Sequence, residues 1–158
     1  MRISRAWNPG RTRRVYLIDT NVVSEARKKA KANPGVTSFF EQAAAADEPV
    51  YLPAVSVGEL RRGVELIRHR GDIDQARLLE AWLMIILEQF GGNILPFDTD
   101  AAQIWGRLRV PDPAHELDKQ IAAIALVNDL TVVTRNTADF RGTGAKVKNP
   151  FLPVPGAG

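Results

Sequence analysis

The chain has 158 residues, 45% of them hydrophobic and 25% charged, an ordinary globular balance at the length of one domain. It contains no cysteine, which excludes disulfides, thiolate metal sites and cysteine nucleophiles, so any metal must bind oxygen or imidazole. The formal charge of +3 comes from the N-terminus: Arg2, Arg5, Arg11, Arg13 and Arg14 fall in an acid-free stretch, and without them 16 basic residues face 18 acidic ones. Nucleic-acid binding must therefore be argued from local patches rather than global charge.

Residues 1–14 read as a basic arm, flexible or appended. No apolar run follows them before Asp19, Thr20 and Asn21, so they lack the pattern of a secretory signal, and a cytoplasmic address is expected. The longest apolar runs, Ala81 to Leu87 and Ile121 to Val127, fall far short of the ~20 residues of a membrane-spanning helix.

Val15 to Ile18 reads as a short buried strand, and Asp19-Thr20-Asn21 opens a helix to about Lys29. Asn33-Pro34-Gly35 reads as a break, followed by a helix from Val36 to Ala46 and a strand at Val50 to Leu52. Ser56-Val57-Gly58-Glu59 has the spacing of a capping box at the start of a helix to His69. After Gly71-Asp72 a second helix, Asp74 to Phe90, carries Leu78, Leu79, Trp82, Ile86 and Phe90, so the two form a helical hairpin. The apolar stripe Trp82, Ile85, Ile86 and Phe90 reads first as core packing. Then come a strand at Asn93 to Phe97, a helix capped by Asp98 and Thr99 and reaching Arg109, a helix from Glu116 to Asn128, and a strand at Thr131 to Thr134. A short edge strand is expected at Ala145 to Lys148, before a Pro- and Gly-rich tail expected to fray from Pro150.

Strands alternating with helices predict an α/β fold, a parallel sheet covered on both faces, with its site outside the carboxyl ends of the strands. Asp19, Ser56 to Glu59, and Asn136 all follow predicted strands. Asp19, Glu59 and Asp118 lie 40 and 59 residues apart, so only the fold can bring them together. Each has an ordinary explanation when taken singly: Asp19 can cap a helix, Glu59 can complete the capping box, and Asp118 can answer a helix dipole. Held around one void, they would suit a hard divalent cation, which lowers the pKa of a bound water and offsets charge on a phosphate. His69 and His115 lack metal-spaced partners in sequence and read as surface residues.

Four segments then occur in order: Val15-Tyr16-Leu17-Ile18-Asp19-Thr20-Asn21-Val22-Val23-Ser24-Glu25, Val57-Gly58-Glu59-Leu60-Arg61-Arg62-Gly63-Val64, Asp118-Lys119-Gln120-Ile121-Ala122-Ala123, and Val133-Thr134-Arg135-Asn136-Thr137-Ala138-Asp139-Phe140. Together they resemble the motifs of PIN-domain ribonuclease toxins of the VapC type, in the FitB-like branch, from about Val15 to Pro150. The resemblance implies a PIN-like three-layer fold, a short parallel sheet flanked by helices with a protruding helical hairpin, over residues 15–150, with a tail at 151–158. It implies a type II toxin, an endoribonuclease cutting tRNA or rRNA with a metal-activated water to leave a 5′-phosphate and a 3′-hydroxyl. Asp19, Glu59, Asp118 and Asn136 would be catalytic, with Asp19, Asp118 and Glu59 holding Mg²⁺ or Mn²⁺ and Thr20, Asn21, Thr134 and Asp139 in support.

Many family members carry a fourth acid where this chain has Asn136. That departure favours one metal over two, and Asp139 either compensates or caps a turn. Arg61 and Arg62 are candidates for RNA phosphates, although a solvated helix face would also account for them, as it would for Arg27, Lys28, Lys29 and Lys31. Implied partners are a cognate VapB-type antitoxin, a second copy in a homodimer, a heterotetramer or larger assembly with antitoxin, and operator DNA through the antitoxin only. A haloacid dehalogenase-like phosphatase is disfavoured because Asn21 stands where its second aspartate is needed. A response-regulator receiver is disfavoured because it needs paired acids at the first strand and a lysine after a late one. The remaining alternative is a catalytically silent PIN scaffold that binds RNA or antitoxin and acts in repression.

Overall fold

Five short apolar segments build the centre of the molecule. In this computed structural model, which describes residues 14–153, they are β1 (Tyr16–Ile18), β2 (Val50–Pro53), β3 (Ile94–Leu95), β4 (Thr131–Val133) and β5 (Lys146–Lys148). They form one parallel sheet in the order β3-β2-β1-β4-β5, with Tyr16 registered between Val50 and Thr131. Six helices connect them: α1 (Thr20–Ala26), α2 (Pro34–Ala45), α3 (Ala54–His69), α4 (Ile73–Phe90), α5 (Thr99–Leu108) and α6 (Glu116–Asn128).

Strand periodicity divides the side chains between two cores. Tyr16, Ile18, Val50, Leu52 and Val133 pack with α1 to α4, whereas Leu17 and Val132 pack with Ala101 of α5 and Ile121 and Ile124 of α6. The result is the expected three-layer α/β fold. The chain leaves β1 towards β2 on one side, and β4 joins β1 on the other, so the strand order reverses beside β1. In open parallel sheets such a reversal leaves a crevice at the carboxyl ends.

Several boundaries differ from the sequence reading, each for a local reason. α1 ends at Ala26, and Lys29, at φ 53°, opens a separate 3-10 turn (Lys29–Lys31). Asn33-Pro34-Gly35 starts α2 rather than preceding it: Asn33 Oδ1 accepts from Gly35 N at 2.9 Å, and proline at the first helical position forfeits no helical bond. α3 begins at Ala54, directly after β2, so Ser56 sits inside the helix, fully buried with its hydroxyl unpaired, and the expected capping box does not form. Only Ile94 and Leu95 of the third expected strand pair, while buried Asn93 donates to Val50 O at 3.2 Å. The apolar stripe of α4 also splits: Leu83, Ile86 and Phe90 are buried, but Leu78 and Ile85 are 68% and 52% exposed.

The basic arm expected over 1–14 lies outside the described residues except for Arg14, as do residues 154–158 of the tail. Fraying does not begin at Pro150. The Asn33 side chain accepts from Leu152 N at 3.0 Å and donates to Leu152 O at 2.9 Å, which lays the C-terminal segment across the start of α2. Gly35 is what admits it, because a Cβ there would lie 2.1 Å from Pro150 O and 2.8 Å from Leu152 N. Gly35→Ala is therefore expected to lower stability by about 3 kcal/mol, since backbone on both sides must move. Urea unfolding measures it; a loss below about 0.5 kcal/mol would mean that the segment is not held there.

Candidate active site

Asp19 follows the last residue of β1 and caps α1. Its backbone N donates to Val133 O at 2.9 Å, continuing the sheet, and its Oδ1 accepts from Thr20 N at 2.7 Å. Oδ2 accepts from Thr134 Oγ1 at 2.8 Å and from Asn21 Nδ2 at 3.2 Å. Thr134 in turn accepts from Asn136 N at 3.0 Å, and Asn21 Oδ1 accepts from Arg135 N at 3.1 Å. The supporting places expected for Asn21 and Thr134 are thus occupied by residues that bond Asp19 directly. Asp19 is only 4% exposed, and burial pushes its carboxyl above the ordinary carboxylate value, against the pull of those donors.

Glu59 lies on the second turn of α3, its Oε1 accepting from Thr20 Oγ1 at 3.4 Å. Burial and then the Asp19 charge raise its pKa, while Arg62 opposes them. Asp118 sits in the first turn of α6 and is pushed up to about 6, first by burial and then by Asp19, Asp139 and Glu59, with His115 opposing. Asp139, in the 3-10 turn Thr137–Phe140 that follows β4, also raises Asp19. The charges of Asp19, Glu59 and Asp139 thus all act on Asp118, which brings carboxylates from four segments to the carboxyl end of the sheet.

Asn136 does not join them through its side chain. It is exposed at the cap of that 3-10 turn, makes no side-chain capping bond, and contributes its backbone N–H to Thr134. Asp139 does not cap the turn either, and its carboxylate takes the fourth place in the cluster. His115 lies at the surface, as read from sequence, but it is not without partners, and that is what the reading missed. Its Nδ1 is 3.8 Å from Asp118 Oδ2 and 3.8 Å from Asp139 Oδ1. Its position three residues before Asp118 was the available signal, but the decisive partner, Asp139, arrives from another element.

The PIN domain family matches residues 16–146 of this sequence, from the first strand to the last. The chain belongs to that family. Toxin FitB of Neisseria gonorrhoeae is 36% identical over 144 residues, covering 87% of this chain and 99% of that protein. VapC ribonuclease Y4jK of Sinorhizobium fredii is 33% identical over 147 residues, covering 89% and 100%. The crystal structure of FitAcB from Neisseria gonorrhoeae superposes with a TM-score of 0.73 at 36% identity, over 85% of this chain and 97% of that one. The helical hairpin of this PIN domain is α3 packed on α4.

The donor set fits a hard divalent cation. Clustered carboxylates whose pKa values rise together carry unfavourable crowding that a cation relieves, and one ligand atom each from His115, Asp118 and Asp139 lies within 4.8 Å of the others. That grouping differs from the expected trio of Asp19, Glu59 and Asp118, and Asp118 is common to both.

The two arginines separate. Arg62 is exposed and acts electrostatically on Glu59. Arg61, expected beside it as a phosphate contact, is instead bonded to Glu80 of α4 at 2.6 Å and to Glu65 at 3.5 Å, while Arg68 pairs with Glu65 and with Glu80 at 2.9 Å. This network spans the hairpin. A groove of about 280 Å³ runs from Thr20 and Glu59 to Arg27 and Trp82, and a second of about 650 Å³ continues from Arg27 and Trp82 past Leu78 and Ile85. No described helix is long and apolar enough to cross a membrane.

Proposed function

We propose that this PIN domain is the toxin of a toxin–antitoxin pair, a divalent-cation-dependent endoribonuclease that hydrolyses RNA phosphodiester bonds, with tRNA or rRNA as the target class. The observation that carries the reading is the convergence of Asp19, Glu59, Asp118 and Asp139 at the carboxyl end of β1 and β4. Asp19, Asp118 and Glu59 would hold Mg²⁺ or Mn²⁺, with Asp139 in the place that Asn136 leaves neutral. The cation would supply a more acidic water and stabilise charge developing on the phosphate. The chain's own part is orientation: Thr20, Asn21 and Thr134 fix both oxygens of Asp19, and Thr20 links Asp19 to Glu59. Attack by water would leave a 5′-phosphate and a 3′-hydroxyl.

The groove from Glu59 over Trp82 to Ile85 suits the C-terminal segment of a VapB-type antitoxin. An antitoxin arginine reaching the acids would compete with cation and substrate. Exposed Leu78 and Ile85 give that segment apolar surface to bury. The assembly is a homodimer that forms a heterotetramer or larger complex with antitoxin, touches operator DNA through the antitoxin, and works in the cytoplasm.

Antitoxin-free protein should cut purified tRNA or total RNA at discrete positions with Mg²⁺ or Mn²⁺ and not with EDTA. Folded protein that binds RNA without cutting it under either metal would replace this reading by the silent scaffold.

Arg62 and Arg61 give a paired test of how RNA is held. With EDTA present, Arg62→Ala should weaken RNA binding and reduce the slope of log K against log salt by about 1. Arg61→Ala should leave binding and cleavage unchanged and lower stability by about 0.5 kcal/mol, because its bonds to Glu80 and Glu65 are water-exposed. Fluorescence anisotropy titrations at several salt concentrations read the difference; equal losses in both variants would return Arg61 to the RNA surface.

A further inference from the structure

His115 precedes α6 with φ 56° and ψ 47°, a left-handed backbone that is sterically unfavourable for a residue with a Cβ. Helix capping does not account for it, since its side chain makes no capping bond. What the conformation achieves is placement. Nδ1 stands 3.8 Å from Asp118 Oδ2 on α6 and 3.8 Å from Asp139 Oδ1 on the turn after β4. Those separations are too long for hydrogen bonds. They match ligands sharing one ion, because donors each about 2.2 Å from a cation lie roughly 3 to 4.4 Å apart.

The neighbouring cations leave room for another. The Lys119 ammonium is turned to Asp112, donating to its carbonyl at 2.5 Å and lying 4.0 Å from its Oδ2. Arg141, with His115 and Asp139, lines an open cavity of about 360 Å³ beside these residues. Arg141 itself is exposed to solvent. Mn²⁺ and Mg²⁺ both favour oxygen ligands, but Mn²⁺, a first-row transition ion, accepts an imidazole nitrogen in that shell more readily than Mg²⁺ does.

We infer that His115 is a nitrogen ligand of the acid cleft, joining Asp118 and Asp139, and that it biases this PIN domain towards Mn²⁺ over Mg²⁺. The inference rests on reading the acids as a cation site. The chain has two histidines, and the other, His69, is the last residue of α3, so a nitrogen signal can be assigned by substitution.

The test is electron spin-echo modulation of Mn²⁺ bound to the full, untagged chain, together with Mn²⁺ and Mg²⁺ titrations. Asparagine tolerates the left-handed backbone, so His115→Asn removes the imidazole while keeping the turn. A ¹⁴N imidazole coupling is expected in the wild type and in His69→Gln and absent in His115→Asn. Mn²⁺ affinity should fall roughly 10-fold in His115→Asn, with Mg²⁺ affinity changing less. Bound Mn²⁺ without nitrogen coupling in the wild type, but lost in Asp118→Asn, would overturn the assignment of His115 and leave the acid cleft intact. No bound Mn²⁺, or binding indifferent to Asp118→Asn, would overturn the cation site and this inference with it.

Discussion

Asp19→Asn is expected to lower RNA cleavage by about 10³-fold or more while changing the stability of the metal-free protein by no more than about 1 kcal/mol. Both parts follow from the bonds around the carboxylate. The substitution removes a charge whose burial is unfavourable, which favours the folded state. It keeps an oxygen facing Thr20 N but puts an amide nitrogen opposite Asn21 Nδ2, a donor against a donor. Asn21 cannot simply turn over, because its Oδ1 accepts from Arg135 N. Relief of burial and the new donor conflict therefore nearly cancel. Thermal melts with EDTA and single-turnover cleavage with Mn²⁺ separate the two effects. Cleavage within tenfold of wild type would remove Asp19 from the chemistry and return it to helix capping.

What the sequence made legible was whatever depended on neighbours along the chain. α6 shows this at both ends, Glu116 to Asn128, since an unbroken run of alanine, isoleucine and leucine between two polar ends reads as one buried helix, and Ile121 to Ala125 are all buried. The two-sided sheet was likewise readable from the apolar strands. The capping box failed because its spacing is satisfied by any helix containing Ser56 and Glu59. Nothing in the four residues tells that β2 runs into α3 at Ala54, which frees Glu59 for Thr20.

The acids, and the Thr20, Asn21 and Thr134 that bond Asp19, were named from sequence through their family motifs, and the rest of their surroundings was not. Asp139 and Asn136 sit three positions apart, and only the 3-10 turn decides that the carboxylate reaches the cluster while the amide stays at the surface. Arg61 and Arg62 are adjacent on one helix, so they project about 100° apart, and the pairing of Arg61 depends on Glu80 across the hairpin. His115 needed both a left-handed backbone and a partner from after β4. Contacts between distant segments carry these assignments, and spacing along the chain does not encode them.

Asp118→Asn is expected to abolish cleavage and at the same time make the metal-free protein more stable at neutral pH. The Asp118 carboxyl rises from 3.8 to about 6 on folding, so between those values the folded state holds a proton that the unfolded state has released. Stability from this group is consequently intact below about pH 4, falls as pH rises to about 6, and stays reduced above that. A rise of that size corresponds to about 3 kcal/mol against the charged form, which water reaching a side chain still 25% exposed reduces to about 1–2 kcal/mol. The asparagine variant should then melt about 3–6 °C above wild type at pH 7.5 in EDTA and level with it near pH 4. Comparing variant with wild type at each pH cancels carboxylates whose pKa is lowered instead, such as Glu25, Glu65 and Glu80. Millimolar Mn²⁺ should reverse the order, because only the wild type gains stability from binding it. The rival account of Asp118, a helix-dipole partner in the first turn of α6, predicts the opposite sign: Asp118→Asn would then cost about 0.3–1 kcal/mol at pH 7.5 and nothing near pH 3. A variant less stable than wild type at neutral pH without metal would settle the matter for the dipole, and the crowding that marks this cleft as a cation site would have to be abandoned.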